Sequence, residues 1–192
     1  MSSIIDGIDY GPLAQLIGNW SGKKGIDKAP DNQANIDESK FTDELKFTVA
    51  GATENAEEQK LVSVKYHHVI RRTESGLIFH DQIGHWIYEP STDIIMHSIT
   101  IPRAVCVLAG GNFQEINGVS VFNVEAHAGS ETFGILQSPF MIEKAKTKAF
   151  KMELSINNNE LKYREVMSLH IYGKDFEHID QSTLHRVTYD LA

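Results

Sequence analysis

Over residues 41–50 the apolar Phe41, Leu45, Phe47 and Val49 fall on one parity, and Thr42, Glu44, Lys46 and Thr48 on the other. That alternation marks a strand with one dry and one wet face. The run 61–70 repeats it, with Val62, Val64, Tyr66, His68 and Ile70 opposing Ser63, Lys65 and His67. Further strands are expected over 77–89, 93–101, 104–109 and 119–128, with turns at Glu89-Pro90-Ser91 and Asn117-Gly118. Phe150, Met152, Leu154 and Ile156 alternate with Lys151, Glu153 and Ser155. Asn157-Asn158-Asn159 then turns the chain toward Leu161, Tyr163, Met167 and Leu169, a long final hairpin. One short helix is expected over 11–18, started by Pro12, with Leu13, Leu16 and Ile17 on one face and Gly18 ending it. It is suited to plug the end of a barrel.

The pattern lacks the repeated helical stripes of a parallel α/β fold. About ten strands are too many for a flat sheet with one wet side, and closing them into a barrel removes the exposed edges. The expected fold is therefore all-β: one closed antiparallel barrel spanning residues 1–192 as a single domain, with room inside for a small ligand. A two-sheet sandwich, its middle filled by side chains, is the alternative. The polar stretch 28–40, with Pro30, Asp31, Asn32 and Asn35, reads as a mobile loop over the barrel mouth. Ser138-Pro139, ahead of Glu143, Lys144 and Lys146, reads as a short surface helix or a turn.

A formal charge of −8 sets the field of the molecule against phosphate backbones and anionic membrane surfaces, so neither nucleic acid nor membrane is an expected partner. The start of the chain has no basic segment followed by an apolar run, and the cytoplasm is the expected compartment. Cys106, the single cysteine, sits among Val105, Val107 and Leu108 and reads as a small buried hydrophobe. Trp86 and Tyr88 are expected to form an exposed apolar strip through which two chains could pair as a homodimer.

Nine histidines invite a metal or catalytic reading, and strand parity sorts them. His67, His127 and His170 share the polar faces of their strands. His80 and His85, an odd number apart, cannot join on one metal. His68, His97 and His185 fall on mostly apolar faces: His97 with Ile95, Ile99 and Ile101, and His185 with Val187, Tyr189 and Leu191. Any one of them can be a hydrogen-bonded core histidine. His185, entering an apolar chamber from the last strand, is also suited to be an axial ligand of haem iron. Gly18-Asn19-Trp20-Ser21-Gly22 bends the chain into a first strand with Trp20 placed to seal the floor. No G-x-S-x-G segment is present to support a serine hydrolase.

In three segments the chain resembles the nitrobindin family, haem-binding relatives of the lipocalins and fatty-acid-binding proteins. They are Pro12-Leu13 through Gly18-Asn19-Trp20-Ser21-Gly22, the strand Phe79-His80-Asp81-Gln82-Ile83-Gly84, and the hairpin containing Tyr163-Arg164-Glu165-Val166-Met167. The segment His97 to Ala104 is similar to a bacterial branch of the same barrels. The resemblance implies a ten-stranded calycin barrel holding haem b through one histidine of the last strand. It also implies chemistry on nitric oxide and isomerisation of peroxynitrite to nitrate. It matches that histidine to His185, with His178 in Phe176-Glu177-His178-Ile179-Asp180 as rival; the haem reading expects Trp20 and the inward-parity His68 and His97 around the cofactor. Lys24 stands where the family's run has its last glycine, and Arg186 follows His185 where the family has leucine. The competing function is a non-catalytic carrier of a fatty acid or other hydrophobic ligand, its carboxylate paired with an inward Arg186 or served from the rim by Arg71, Arg72 and Arg103. On a regular strand His185 and Arg186 cannot both face in.

Overall fold

A computed structural model of the chain describes residues 2–188. Its body is a closed barrel of eleven strands. After a two-stranded β1 (Ile4–Ile5) and β2 (Ile8–Asp9) and a 3-10 helix (Gly11–Gln15) come β3 (Gly18–Pro30), β4 (Ile36–Asn55), β5 (Gln59–Arg72), β6 (Ile78–Glu89), β7 (Ile94–Ile101), β8 (Val105–Ile116) and β9 (Val119–Ala128). β10 (Gly134–Gln137), a helix α1 (Pro139–Lys144), β11 (Ala145–Asn157), β12 (Glu160–Ile171) and β13 (Lys174–Arg186) complete the chain. Neighbours in sequence pair antiparallel from β3 round to β9, and β13 pairs back onto β3 to join the two ends of the chain. β8 and β9 pair from Gly110↔Glu125 down to Ile116↔Val119 and part above it, where the four-residue β10 bonds to both. The expected ten or so strands are thus ten long ones and this short filler.

Two local features shape the wall. Asn117 and Gly118 both take left-handed φ values, 52° and 78°, the geometry of a two-residue hairpin turn whose twist matches its strands. In β3 the pairing slips between Gly22 and Gly25. A Cβ on Gly25 would lie 2.0 Å from the Phe41 ring, so glycine there lets that ring lie flat against the backbone.

The 3-10 helix closes one end, where Leu13, Leu16 and Trp20 are all but sealed from solvent. Trp20 donates from Nε1 to the Leu16 carbonyl at 2.7 Å. The Arg186 guanidinium donates to the carbonyls of Ile17 (2.5 Å) and Gln15 (2.8 Å) and lies over the Trp20 ring at 4.1 Å. Above this floor Trp86 stacks on His97 at 4.1 Å and meets Phe122 edge-on, while Tyr66 and Phe150 complete the packing round the imidazole. The closed half is therefore filled by its own side chains.

Three expectations are corrected. The stretch 28–40 is the tip of the β3–β4 hairpin, with Asp31 Oδ1 accepting from the backbone N–H groups of Gln33 and Asn35. Cys106 is exposed, because Val105 and Val107 take the inward parity of β8. Trp86 is buried, and Gly11 leaves room for the Tyr88 ring, so these two form no exposed strip for a dimer. Of the two readings of the segment after Ser138, the helix is the one formed: α1 is capped by Ser138 Oγ accepting from Met141 N–H.

Because Arg186 ties the plug to the last strand by two charged hydrogen bonds, Arg186→Met is expected to lower the unfolding free energy by about 2 kcal/mol or more. Urea denaturation measures it, and an unchanged midpoint would show that the plug holds without the guanidinium.

Candidate functional site

Running away from the plug, β13 turns Leu184, Ser182, Asp180 and His178 inward, the even parity. His178 is one-quarter exposed and its Nε2 sits 2.9 Å from Asp27 Oδ1, a contact across 151 residues made possible by the β3–β13 pairing. Asp27 is buried at 2% exposure, and its second oxygen, Oδ2, accepts from Arg72 at 3.1 Å and Ser39 at 3.2 Å. Arg72 also bonds Ser39 and lies 3.9 Å over the Phe79 ring. Asp180 Oδ2 stands 3.5 Å from His178 Nε2, while its Oδ1 has no hydrogen-bond partner. Glu165 is the register partner of Asp180 on β12 and is buried beside it, and Met167 is likewise the partner of His178.

The charges follow from that packing. Burial works to raise the Asp27 carboxyl, but the bond and charge of His178, the Arg72 guanidinium and the Ser39 hydroxyl hold it below its ordinary value. Burial works to lower His178, yet its bond to Asp27 and the charges of Asp180, Asp27 and Glu165 hold it above the usual imidazole range. Burial, with the charge of Asp27 adding to it, pushes Asp180 up to about 6. Burial and the charge of Asp180 push Glu165 up to about 8. On the facing wall burial, joined by the charges of His68, Arg103 and His178, drives His80 down to about 4, so its ring is neutral at pH 7. Its Nε2 pairs with Gln82 Oε1 at 3.0 Å, and Gln82 Nε2 donates to the Tyr66 hydroxyl at 2.8 Å.

The residues singled out in the sequence are divided by this geometry. His185 is exposed on the outer face of β13, beside Glu160 and Ser21, and cannot enter the bore. Of the neighbours that set its parity in the sequence, Tyr189 and Leu191 lie outside the described residues, and β13 ends at Arg186. Its rival His178 is the inward histidine of that strand. His68 is buried, but Asp43 takes its Nε2 at 3.3 Å together with the Tyr163 hydroxyl at 3.0 Å and Ser182 at 3.1 Å, a satisfied core network. Trp20 and His97 belong to the packed closed half. Arg186 faces in, yet its guanidinium is spent on the plug, which removes it as an anchor for a fatty-acid carboxylate. Asp27, Asp180, Glu165 and His80 were not picked out as site residues in the sequence. Counting parity back from Leu184 would have found Asp180 and His178 together. Two surface concavities, of about 820 and 620 Å³, run along the outer wall, past Cys106 and Leu136 and past Lys65 and His67.

A closed barrel with one sealed end and a cluster of imidazoles and carboxylates at the other defines a small-molecule-binding β-barrel. The family model described as "THAP4-like, heme-binding beta-barrel domain" matches residues 9–186, and the chain belongs to that family. Among solved structures the chain is similar to Rv2717c from M. tuberculosis, with a TM-score of 0.69 and 18% identity over 92% of this chain and 95% of that one. At that identity the likeness is one of fold. No curated protein matches the chain in sequence. No helix among the described residues is long and apolar enough to cross a membrane.

His97 carries a further consequence of burial. Both its ring nitrogens lack partners, and burial and the nearby His68 drive it down to about 3. The unfolded chain takes up a proton below its ordinary value of 6.5, whereas the folded one does not until about pH 3. Stability from this site is therefore complete above pH 6.5 and is lost as the pH falls toward 3. His97→Phe, which keeps the ring on Trp86, is expected to raise stability at pH 7 by about 1–3 kcal/mol. It should also flatten the acid limb of a denaturation series from pH 7 to 4, and an unchanged slope would place the acid sensitivity elsewhere.

Proposed function

We propose that the barrel binds haem b at its open end, with His178 as the iron ligand. The observation that carries this is an inward imidazole on the last strand, at the unplugged end, whose ring is oriented by a buried carboxylate. That is the arrangement an axial histidine needs, one nitrogen held by an acceptor and the other left to the metal. Nε2 holds the bond to Asp27 as described, and a rotation of the ring exchanges the two nitrogens. Met167 opposite His178, Leu169 on the same strand and Phe79 offer apolar surface for a macrocycle, and Arg72 and Arg103 stand at the rim near Phe79 for its carboxylates. These residues fit the group.

Bound haem would supply iron able to react with nitric oxide and to isomerise peroxynitrite to nitrate. Around it the chain has its own tasks. Asp27, fixed by Arg72 and Ser39, accepts from His178 and sets the ring's direction. The neutral His80, backed by Gln82, offers one imidazole nitrogen to a small polar guest from the facing wall. The plugged floor keeps water from entering behind.

Haemin titrated into the purified protein is expected to give a Soret band, His178→Ala to abolish it, and His185→Ala to leave it unchanged. Asp27→Asn is expected to weaken haem binding about 10–100-fold. A Soret band that survives His178→Ala would refute this assignment.

A further inference from the structure

The carboxylates around His178 do more than an axial histidine requires. Asp27 is bound through Oδ2 by Arg72 and Ser39, which leaves Oδ1 pointed at His178. Asp180, at 8% exposure, has one oxygen with no partner and the other 3.5 Å from the same Nε2. A buried carboxylate without a hydrogen bond is costly, and something must repay it. We infer that Asp27, His178 and Asp180 form a binding site for one divalent transition-metal ion, separate from haem and competing with it for the imidazole of His178.

The spacing supports an ion. One ligand atom from each of the three side chains lies within 4.8 Å of the others. Donors about 2.1 Å from a shared tetrahedral ion stand about 3.4 Å apart. The His178–Asp27 and His178–Asp180 separations, 2.9 and 3.5 Å, already bracket that value. The ligands come from two adjacent paired strands, β3 and β13, so the wall itself holds them in place. Two carboxylate oxygens and one imidazole nitrogen suit zinc, cobalt, manganese or ferrous iron, and they leave coordination positions open toward the bore for water or a small anion. Arg72 and Ser39 then act one step out, orienting Asp27 as outer partners of ligating carboxylates do. Glu165, directly across from Asp180, places a further carboxyl beside the ion. The competing account is a proton shared between Asp27 and Asp180, which takes up no metal.

The inference does not rest on the haem reading, and the two fail separately. The full chain, free of haem and stripped with EDTA, is titrated with Co²⁺ and Zn²⁺ by calorimetry and visible absorption. One equivalent is expected to bind with micromolar affinity or better, and Co²⁺ to give the visible bands of a nitrogen and oxygen environment. Asp180→Asn is expected to weaken binding at least about tenfold. In the unaltered protein, bound Co²⁺ should broaden amide resonances around Asp27 and Asp180 first, a readout that needs no variant to fold. No uptake up to about 1 mM, or broadening confined to the exposed His67, His127 and His170, would overturn the site. Cobalt uptake without a Soret band would retire the haem proposal and keep this one, and a Soret band without cobalt uptake would do the reverse.

Discussion

Closure of the wall by the β3–β13 pairing is the constraint on which the rest depends. Until the last strand meets the first long one, both carry unpaired backbone groups along an edge, and the inward side chains of neither have a common interior to share. Once they pair, Asp27 and His178 become neighbours, as do Trp20 and Arg186 at the other end of the same seam. One seam thus supplies both the lock on the floor and the chemistry at the mouth. It does so with contacts so distant in sequence that they form only in the folded chain.

The interior is divided along the barrel axis by the cost of burying charge. Toward the plug the wall contributes Trp20, Trp86, Phe47, Phe122 and Leu184, and the charged groups there are the guanidinium that closes the floor and, higher up, Asp43 with three donors. Toward the mouth the wall contributes Asp27, Glu165, Asp180, His80 and His178. A carboxylate so placed keeps its charge only beside a cation, as Asp27 does between Arg72 and His178. Asp180 and Glu165, which have less to pair with, are pushed up instead. Stability is served by the first half, and a group that must exchange protons, metals or ligands belongs in the second.

Alternation of apolar and polar residues made the strands, the single barrel, the plug and the turns at Asn117-Gly118 and Asn157-Asn158-Asn159 legible before any coordinates. Parity failed on the last strand, where two of its three reference residues lie outside the described residues. Val187, Tyr189 and Leu191 point to an inward His185, but β13 stops at Arg186, and Leu184 and Ser182 set the true face. Cys106 was misread for a related reason: its apolar neighbours Val105 and Val107 occupy the inward positions and leave it the outward one. The ionic cluster was not legible because its members come from β3, β12 and β13, and neither their register nor the slip between Gly22 and Gly25 is written in local periodicity.

Haem and a divalent ion make different demands on one imidazole. Both need a nitrogen without its proton, so both compete with protonation of the imidazole. A haem bound there would take the apolar side of the ring's surroundings, where β12 places Met167 and Leu169, and would leave Asp27 as an acceptor for the imidazole. The ion needs the opposite side, where Asp27 and Asp180 converge, and it turns Asp27 from acceptor to ligand. Because Arg72 and Ser39 fix Asp27 by its other oxygen in either case, the carboxylate stays put and the imidazole is the part that must rotate. The choice between the two proposed occupants would therefore reduce to which nitrogen of His178 faces Asp27.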